Sequence, residues 1–294
     1  MMKFISARIF SLFFIPAMAL LLYSCEKDAN VKLPDIKSQL VVTSFISPSD
    51  TLITVNVSET RPLYTPSNNS NNGTVDNAIV YLSDGINSVV VPYNNFRYSI
   101  NSSLLPIFAG HTYFLSVATP DGRLVNAETT VPSGPVPVIA TSYHEAINNG
   151  SENGAFPGEI YTVLQLNLND PSGIKNYYRT DIRGFEVNPD TVPVGNMYGI
   201  LKEHLETDEG QDGKTIAIEK GIYNAFSIDS ELKFFEVTLL NCNYPYYAYH
   251  KSLMSAVNSG GVDLFSEPSI MYSNINGGLG VFGAYISSKT RLYR

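Results

Sequence analysis

The 294 residues contain no tryptophan, only two cysteines and only four histidines. Two cysteines are too few for the disulfide framework that holds many small secreted domains, so a packed apolar core must stabilise this fold. A chain of this length can bury one in a single large domain or in two ordinary ones. The histidines, His111, His144, His204 and His250, lie far apart. None has the H-x-x-x-H or H-E-x-x-H spacing that brings two imidazoles to one metal, and His144-Glu145 lacks the second histidine. Neither a G-x-S-x-G elbow, a P-loop nor a dinucleotide fingerprint is present. The reading is a protein with no catalytic residues, no metal and no cofactor, and not an enzyme.

Charge is sparse, at 16% of residues, and its balance is acidic: 19 basic against 27 acidic side chains. A field of that sign disfavours nucleic acid and anionic membrane surfaces, which are held by lysine and arginine. Tyrosine, at 19 residues, and phenylalanine, at 15, are plentiful instead.

Long apolar runs are also missing, apart from one at the amino terminus. Lys3 and Arg8 precede an apolar stretch from Ile9 to Leu22, interrupted by Pro16. As a helix it would reach only ~21 Å at ~1.5 Å per residue, short of a bilayer core of roughly 30 Å. It therefore reads as a signal peptide over residues 1–24. Leu22-Tyr23-Ser24-Cys25 follows and resembles the lipobox of bacterial lipoprotein precursors. The Cys25 thiol would carry the diacylglyceryl group, and cleavage would fall after the small residue Ser24. Each buried acyl CH₂ contributes ~0.8 kcal/mol, so two or three chains hold a soluble domain firmly. Glu26-Lys27-Asp28 resembles the surface-export signal of Bacteroidota lipoproteins. Cleavage removes Lys3 and Arg8 but no acid, which leaves a net charge near −10.

Residues 25–37 read as a tether. Alternating segments follow at Leu40–Ile46, Leu52–Val57, Ala78–Leu82, Val89–Tyr93, Phe96–Ile100, Tyr113–Ala118 and Leu124–Val131, the period of half-buried strands. Asp84-Gly85 and Asp121-Gly122 supply turn chemistry between them. Short strands at this density predict an immunoglobulin-like β-sandwich over residues 38–132. The polar insert Thr65–Asn77 is expected to be a mobile loop. Pro132-Ser133-Gly134-Pro135-Val136-Pro137 marks a boundary, since proline cannot donate to a sheet ladder. A second β-rich domain over residues 138–294 is expected from Leu164-Gln165-Leu166-Asn167-Leu168, Tyr177–Phe185, Thr215–Ile218, Phe234–Leu240 and Gly280–Ile286, with Gly210–Gly213 as an exposed loop. One helix near 246–258 presents Tyr246, Tyr249, Leu253, Met254 and Val257 at helical spacing and ends at Gly260-Gly261. The fold class is thus mainly β, with a sandwich followed by a β-rich domain carrying one helix.

The tract Glu267-Pro268, then Tyr272-Ser273-Asn274-Ile275-Asn276-Gly277-Gly278-Leu279-Gly280-Val281-Phe282-Gly283, resembles a signature of a Bacteroidota lipoprotein family, domain of unknown function 4249. Cys25-Glu26-Lys27 leading to Gln39-Leu40-Val41-Val42, Asp76-Asn77-Ala78-Ile79-Val80-Tyr81-Leu82-Ser83-Asp84-Gly85, and Asp170-Pro171 with Asn176-Tyr177-Tyr178-Arg179 agree with it. The resemblance spans nearly all of the mature chain and implies no catalytic residues. It implies the setting of lipoproteins that accompany TonB-dependent outer-membrane transporters.

Among single features, Tyr244 and Tyr247 of Tyr244-Pro245-Tyr246-Tyr247 are the candidate partner contacts, because tyrosine offers rigid area with a polar tip. Tyr246 and Tyr249 fall to the core by spacing. The missing tryptophan weakens a carbohydrate-binding reading. Gly277-Gly278-Leu279-Gly280 precedes a strand, so it reads as a bulge or close backbone approach rather than an anion site. Glu203, Glu206, Asp208 and Glu209 could bind calcium loosely but lack the Asp-x-Asp-x-Asp-Gly loop order, so they read as a solvated charged face, and Cys242 reads as a small buried hydrophobe. The leading expectation is an outer-membrane, surface-facing lipoprotein that assists a TonB-dependent transporter in uptake. The alternatives are an envelope structural or adhesion lipoprotein, and a hydrolase with its site in the second domain.

Overall fold

A computed structural model describes residues 37–61, 73–147, 158, 160–188, 191–196, 205–223, 232–259 and 270–293. Cys25, Glu26, Lys27, Asp28, Glu203, His204 and Gly260-Gly261 lie outside the described residues, as does most of the polar insert. Residues Ser38–Arg294 form one compact unit. Among the described residues the fold is mainly β, with three sheets and one helix longer than a single turn. No described helix is long and apolar enough to cross a membrane.

Strands β1 (Leu40–Ile46), β2 (Leu52–Glu59), β3 (Ile79–Ser83), β4 (Ser88–Val91), β5 (Tyr93–Asn94), β6 (Arg97–Asn101), β7 (Thr112–Ala118) and β8 (Leu124–Thr130) make up the first half. Their alternation is that of the sequence. Leu40, Val42 and Ile46 of β1 and Ile53, Val55 and Val57 of β2 point inward, and Val125 and Ala127 of β8 face them across the core. In the second half β9 (Val138–Ile147), β10 (Ile160–Asn169) and β14 (Thr215–Tyr223) form a sheet ordered β14-β10-β9. The remaining strands are β11 (Tyr177–Asn188), β12 (Thr191–Asn196), β13 (Leu205–Thr207), β15 (Leu232–Cys242) and β16 (Leu279–Tyr293), and α1 spans Tyr244–Ser259. A four-stranded sheet runs β4-β3-β7-β8. The nine-stranded sheet runs β12-β11-β15-β16-β1-β2-β6-β5, with β13 beside β11.

The last strand joins the two halves. Its start pairs parallel to β1, with Val42 opposite Gly280, and its end pairs antiparallel to β15, from Tyr285 opposite Cys242 to Tyr293 opposite Phe234. Two buried apolar clusters result. The first draws on residues 40–131 and is completed by Ile275, Phe282, Ala284 and Ile286. The second holds Val136, Leu164, Leu166, Leu168, Tyr178, Ile182, Ile216, Ile218, Phe235, Val237 and Leu239, with Leu292 against it. The proline-rich segment 132–137 lies at their divide.

Local polar groups fix this junction. Asn243 caps α1: its Oδ1 accepts from Tyr246 N at 3.2 Å and from Ala284 N at 3.0 Å. Its Nδ2 donates to Thr129 Oγ1 at 2.6 Å and Thr130 O at 3.0 Å, tying the cap to β8. Asn274 acts as a one-residue strand, accepting from Phe282 N at 2.9 Å and donating to Phe282 O at 2.9 Å. These bonds satisfy backbone groups that the sheet ladder leaves open.

Leu253 and Val257 are exposed, and α1 docks through its first two turns. There Tyr246, Tyr249 and His250 surround Phe45, with Tyr246 at 4.9 Å between ring centroids. Asp208 does not belong to a solvated face: it is buried at the end of β13.

Candidate functional site

Tyr244 and Tyr247, the two sequence candidates, are brought onto one surface by the first turn of α1. Tyr177, at the start of β11, lies between them, 5.6 Å from the Tyr244 ring and 4.8 Å from the Tyr247 ring. Tyr272 meets Tyr244 edge to face at 5.6 Å. Lys251 Nζ sits 5.4 Å over the Tyr247 ring and Lys175 Nζ 5.8 Å over Tyr177. The four rings thus support one another in the tilted arrangements that aromatic quadrupoles prefer, with two cations at their faces. Tyr244 keeps 52% of its surface in solvent, while Tyr246 is 4% exposed and belongs to the core. Burial pushes the Tyr177 and Tyr272 hydroxyls above the usual phenol range, so both stay neutral donors at physiological pH.

A groove begins at Pro245, the residue after Tyr244. Pro245 and Asn274 form one wall of a cavity of about 820 Å³ on the outer face of the four-stranded sheet. Its floor carries Tyr81, Phe114, Asn126 and Glu128. Tyr81 and Phe114 occupy the solvent side of strands β3 and β7, where alternation favours polar residues, and each is 43% exposed. Apolar rings with a few placed polar groups are the usual lining of a ligand site. Among the described residues of the lining Glu128 is the one charged group, so the groove suits neutral or cationic partners.

Sequence reasoning did not find Tyr177, Tyr272, Tyr81 or Phe114. The available signal was a large aromatic at an outward strand position, and it shows only once the strands are in register. The glycines of the signature tract are structural. A Cβ at Gly277 would lie 2.8 Å from Leu124 O, at Gly278 2.7 Å from Leu40 O, and at Gly280 2.0 Å from Val42 O. This is a close backbone approach, as expected, and it lets β16 enter the sheet beside β1. Cys242 is 3% exposed, and burial pushes its thiol far above the ordinary range, so it stays protonated and unreactive. His111 precedes β7, His144 lies on β9 and His250 on α1, and the described residues bring no histidine into a cluster of metal-ligating groups.

Fold and surface together describe a β-rich scaffold: two cores sharing one strand, with an aromatic surface and a groove beside the shared strand. The family model for the domain of unknown function DUF4249 matches residues 26–291, and the chain belongs to that family. No curated protein matches it significantly.

Proposed function

We propose that the chain is a lipoprotein of the outer membrane, anchored through Cys25 and facing the cell surface, that works as a non-catalytic accessory to a TonB-dependent transporter. Its amino-terminal half is read as an immunoglobulin-like sandwich, an architecture suited to carrying a contact surface on rigid strands. The observation that carries the reading is the tyrosine surface of Tyr177, Tyr244, Tyr247 and Tyr272 beside a groove lined by Pro245 and Asn274. Rigid aromatics contribute large contact area at low entropic cost, which is why tyrosine dominates many interfaces. The lipobox at Leu22-Tyr23-Ser24-Cys25 and the flanking Glu26-Lys27-Asp28 support the anchor and the outward orientation.

Affinity capture from detergent-solubilised envelopes tests this. The wild-type chain is expected to recover a transporter of the outer membrane. The double variant Tyr244→Ala/Tyr247→Ala should recover at least about tenfold less, the loss of one hot spot of ~1.4 kcal/mol or more. Capture of no transporter by the wild-type chain, or equal capture by both, would count against the reading.

A further inference from the structure

Two turns converge at one end of the second core. Asp170 follows β10 and is 6% exposed; Asp208 follows β13 and is 4% exposed; Asp212, four residues on, is at the surface. One carboxylate oxygen from each lies within 4.8 Å of the other two. Among the described residues none of the three forms an ion pair. Neutral donors hold them in place instead. Tyr178 Oη donates to Asp170 Oδ1, Gly213 N to Asp170 Oδ2 at 2.9 Å, Asn176 N to Asp208 Oδ2 at 2.8 Å and Gly173 N to Asp212 Oδ1 at 2.8 Å. Each carboxylate oxygen has two lone pairs, so accepting capacity remains on every one of the three groups. Two buried carboxylates beside a third, with no cation, is an arrangement that desolvation and mutual repulsion both oppose.

An independent observation comes from Asn176. It is 6% exposed, and its Oδ1 is buried with no hydrogen-bond partner. The orientation of its amide follows from a chain of bonds. Asn241 Nδ2 donates to Gly134 O at 2.9 Å, so Asn241 Oδ1 is the acceptor that faces Asn176, and Asn176 Nδ2 donates to it at 3.4 Å. Asn241 belongs to β15, on one flank of β11, whereas Asp208 N bonds to Asn176 O on the opposite flank, beside β13. With Nδ2 committed to the β15 side, the other branch of the amide turns its oxygen toward the Asp208 side. The burial pattern puts Asn176 on the same face as Tyr178, whose hydroxyl reaches Asp170. A fourth oxygen without a donor therefore faces the carboxylate cluster, where a bound cation would satisfy it together with the three acids.

We propose that Asp170, Asp208, Asp212 and Asn176 Oδ1 form a binding site for a hard divalent cation of calcium size. Every donor is oxygen, and among the described residues no imidazole or thiol joins the cluster, a donor set that disfavours zinc and copper. Three carboxylates and an amide from two separate turns make a flexible set of the kind calcium accepts, whereas magnesium demands stricter octahedral geometry. The segment Asp208-Glu209-Gly210-Gln211-Asp212-Gly213 places acids first and fifth and glycine sixth, part of the order of calcium-binding loops, with Gly210 where those loops carry a third side-chain ligand. Gly213 takes the left-handed φ of +69° that the sharp turn needs. A cation here ties the turn after β10 to the turn after β13. Because Asn176 adjoins Tyr177, it also firms the base of the tyrosine surface.

The purified full chain in detergent, stripped with EDTA, tests the site by thermal unfolding during addition of CaCl₂ to about 10 mM, roughly ten times the dissociation constant of weak extracellular calcium sites. A saturable rise in Tm of about 5 °C is expected. Asp212→Asn should abolish the rise; because Asp212 is exposed, this variant keeps its fold, and its Tm in EDTA should equal or exceed that of the wild type. An unmoved wild-type Tm, or an equal rise in Asp212→Asn, overturns the proposal.

Discussion

Gly280→Ala is expected to lower folding stability by at least about 3 kcal/mol. Two effects add. Gly280 has φ +112°, a conformation that side-chain-bearing residues rarely adopt, and strain of this kind costs about 1–3 kcal/mol. The added Cβ would also stand 2.0 Å from Val42 O and 2.8 Å from Val42 C, which are backbone atoms of the paired strand. No rotamer change relieves that contact, so β16 must draw away from β1. Phe282, Ala284 and Ile286 would then withdraw from the first core, which β16 completes. Gly122→Ala isolates the steric part. Its φ is +88°, but nothing lies within 4 Å of the added carbon, so a loss of about 1 kcal/mol is expected. Chemical denaturation of both variants measures the difference. Equal losses would show that the approach of β16 to β1 is looser than described.

Lys220→Met is expected to act in the opposite direction, stabilising the fold at pH 7 by about 1–4 kcal/mol. Lys220 is 1% exposed on the inner face of β14, opposite Leu164, and its Nζ has no hydrogen-bond partner. Burial lowers its pKa to about 7. An unfolded lysine titrates near 10.4, so between those values the unfolded chain binds more protons than the folded one. Wild-type stability should therefore rise with pH from about 7 to 9, by roughly 2 kcal/mol, as the ammonium penalty is relieved. At or below pH 7 the penalty is present almost in full. Above about pH 9 an opposing trend begins. Burial raises the Cys242 thiol and the Tyr178, Tyr246 and Tyr285 hydroxyls, so these groups ionise first in the unfolded chain and draw it open. Lys220→Met should erase the rise between pH 7 and 9 and leave the decline above it. A variant that keeps the rise would show that another group carries it.

Such a lysine also shows how far a sequence can be read. Thr215-Ile216-Ala217-Ile218 is legible as a strand, but nothing local indicates that the next inward position is a lysine. β1 is legible to its ends because apolar residues hold three of its four inward positions, Leu40, Val42 and Ile46, with Ser44 at the fourth. β9 is not, since it is an edge strand that leaves Ile139 and Ile147 half exposed and so shows no clean period. β12 contains Pro193 and Gly195, residues that argue against a strand and are tolerated at the edge it occupies. In α1 the helical period is real, but periodicity cannot say how much of a helix docks, and Leu253 and Val257 face solvent. The candidate surface was half legible. Tyr244 and Tyr247 stand out as a local run, whereas Tyr177 and Tyr272 join them only through the tertiary fold. The same limit hid the acidic cluster, since Asp170 and Asp208 are 38 positions apart and meet only because β10 and β13 end side by side.

The functional account rests on attachment at Cys25, and labelling cells with an alkyne analogue of palmitate measures that attachment directly. The wild-type chain should take up label and sediment with outer membranes, and Cys25→Ser should do neither. A Cys25→Ser chain that is cleaved and retained in the envelope just as the wild type is would contradict the account.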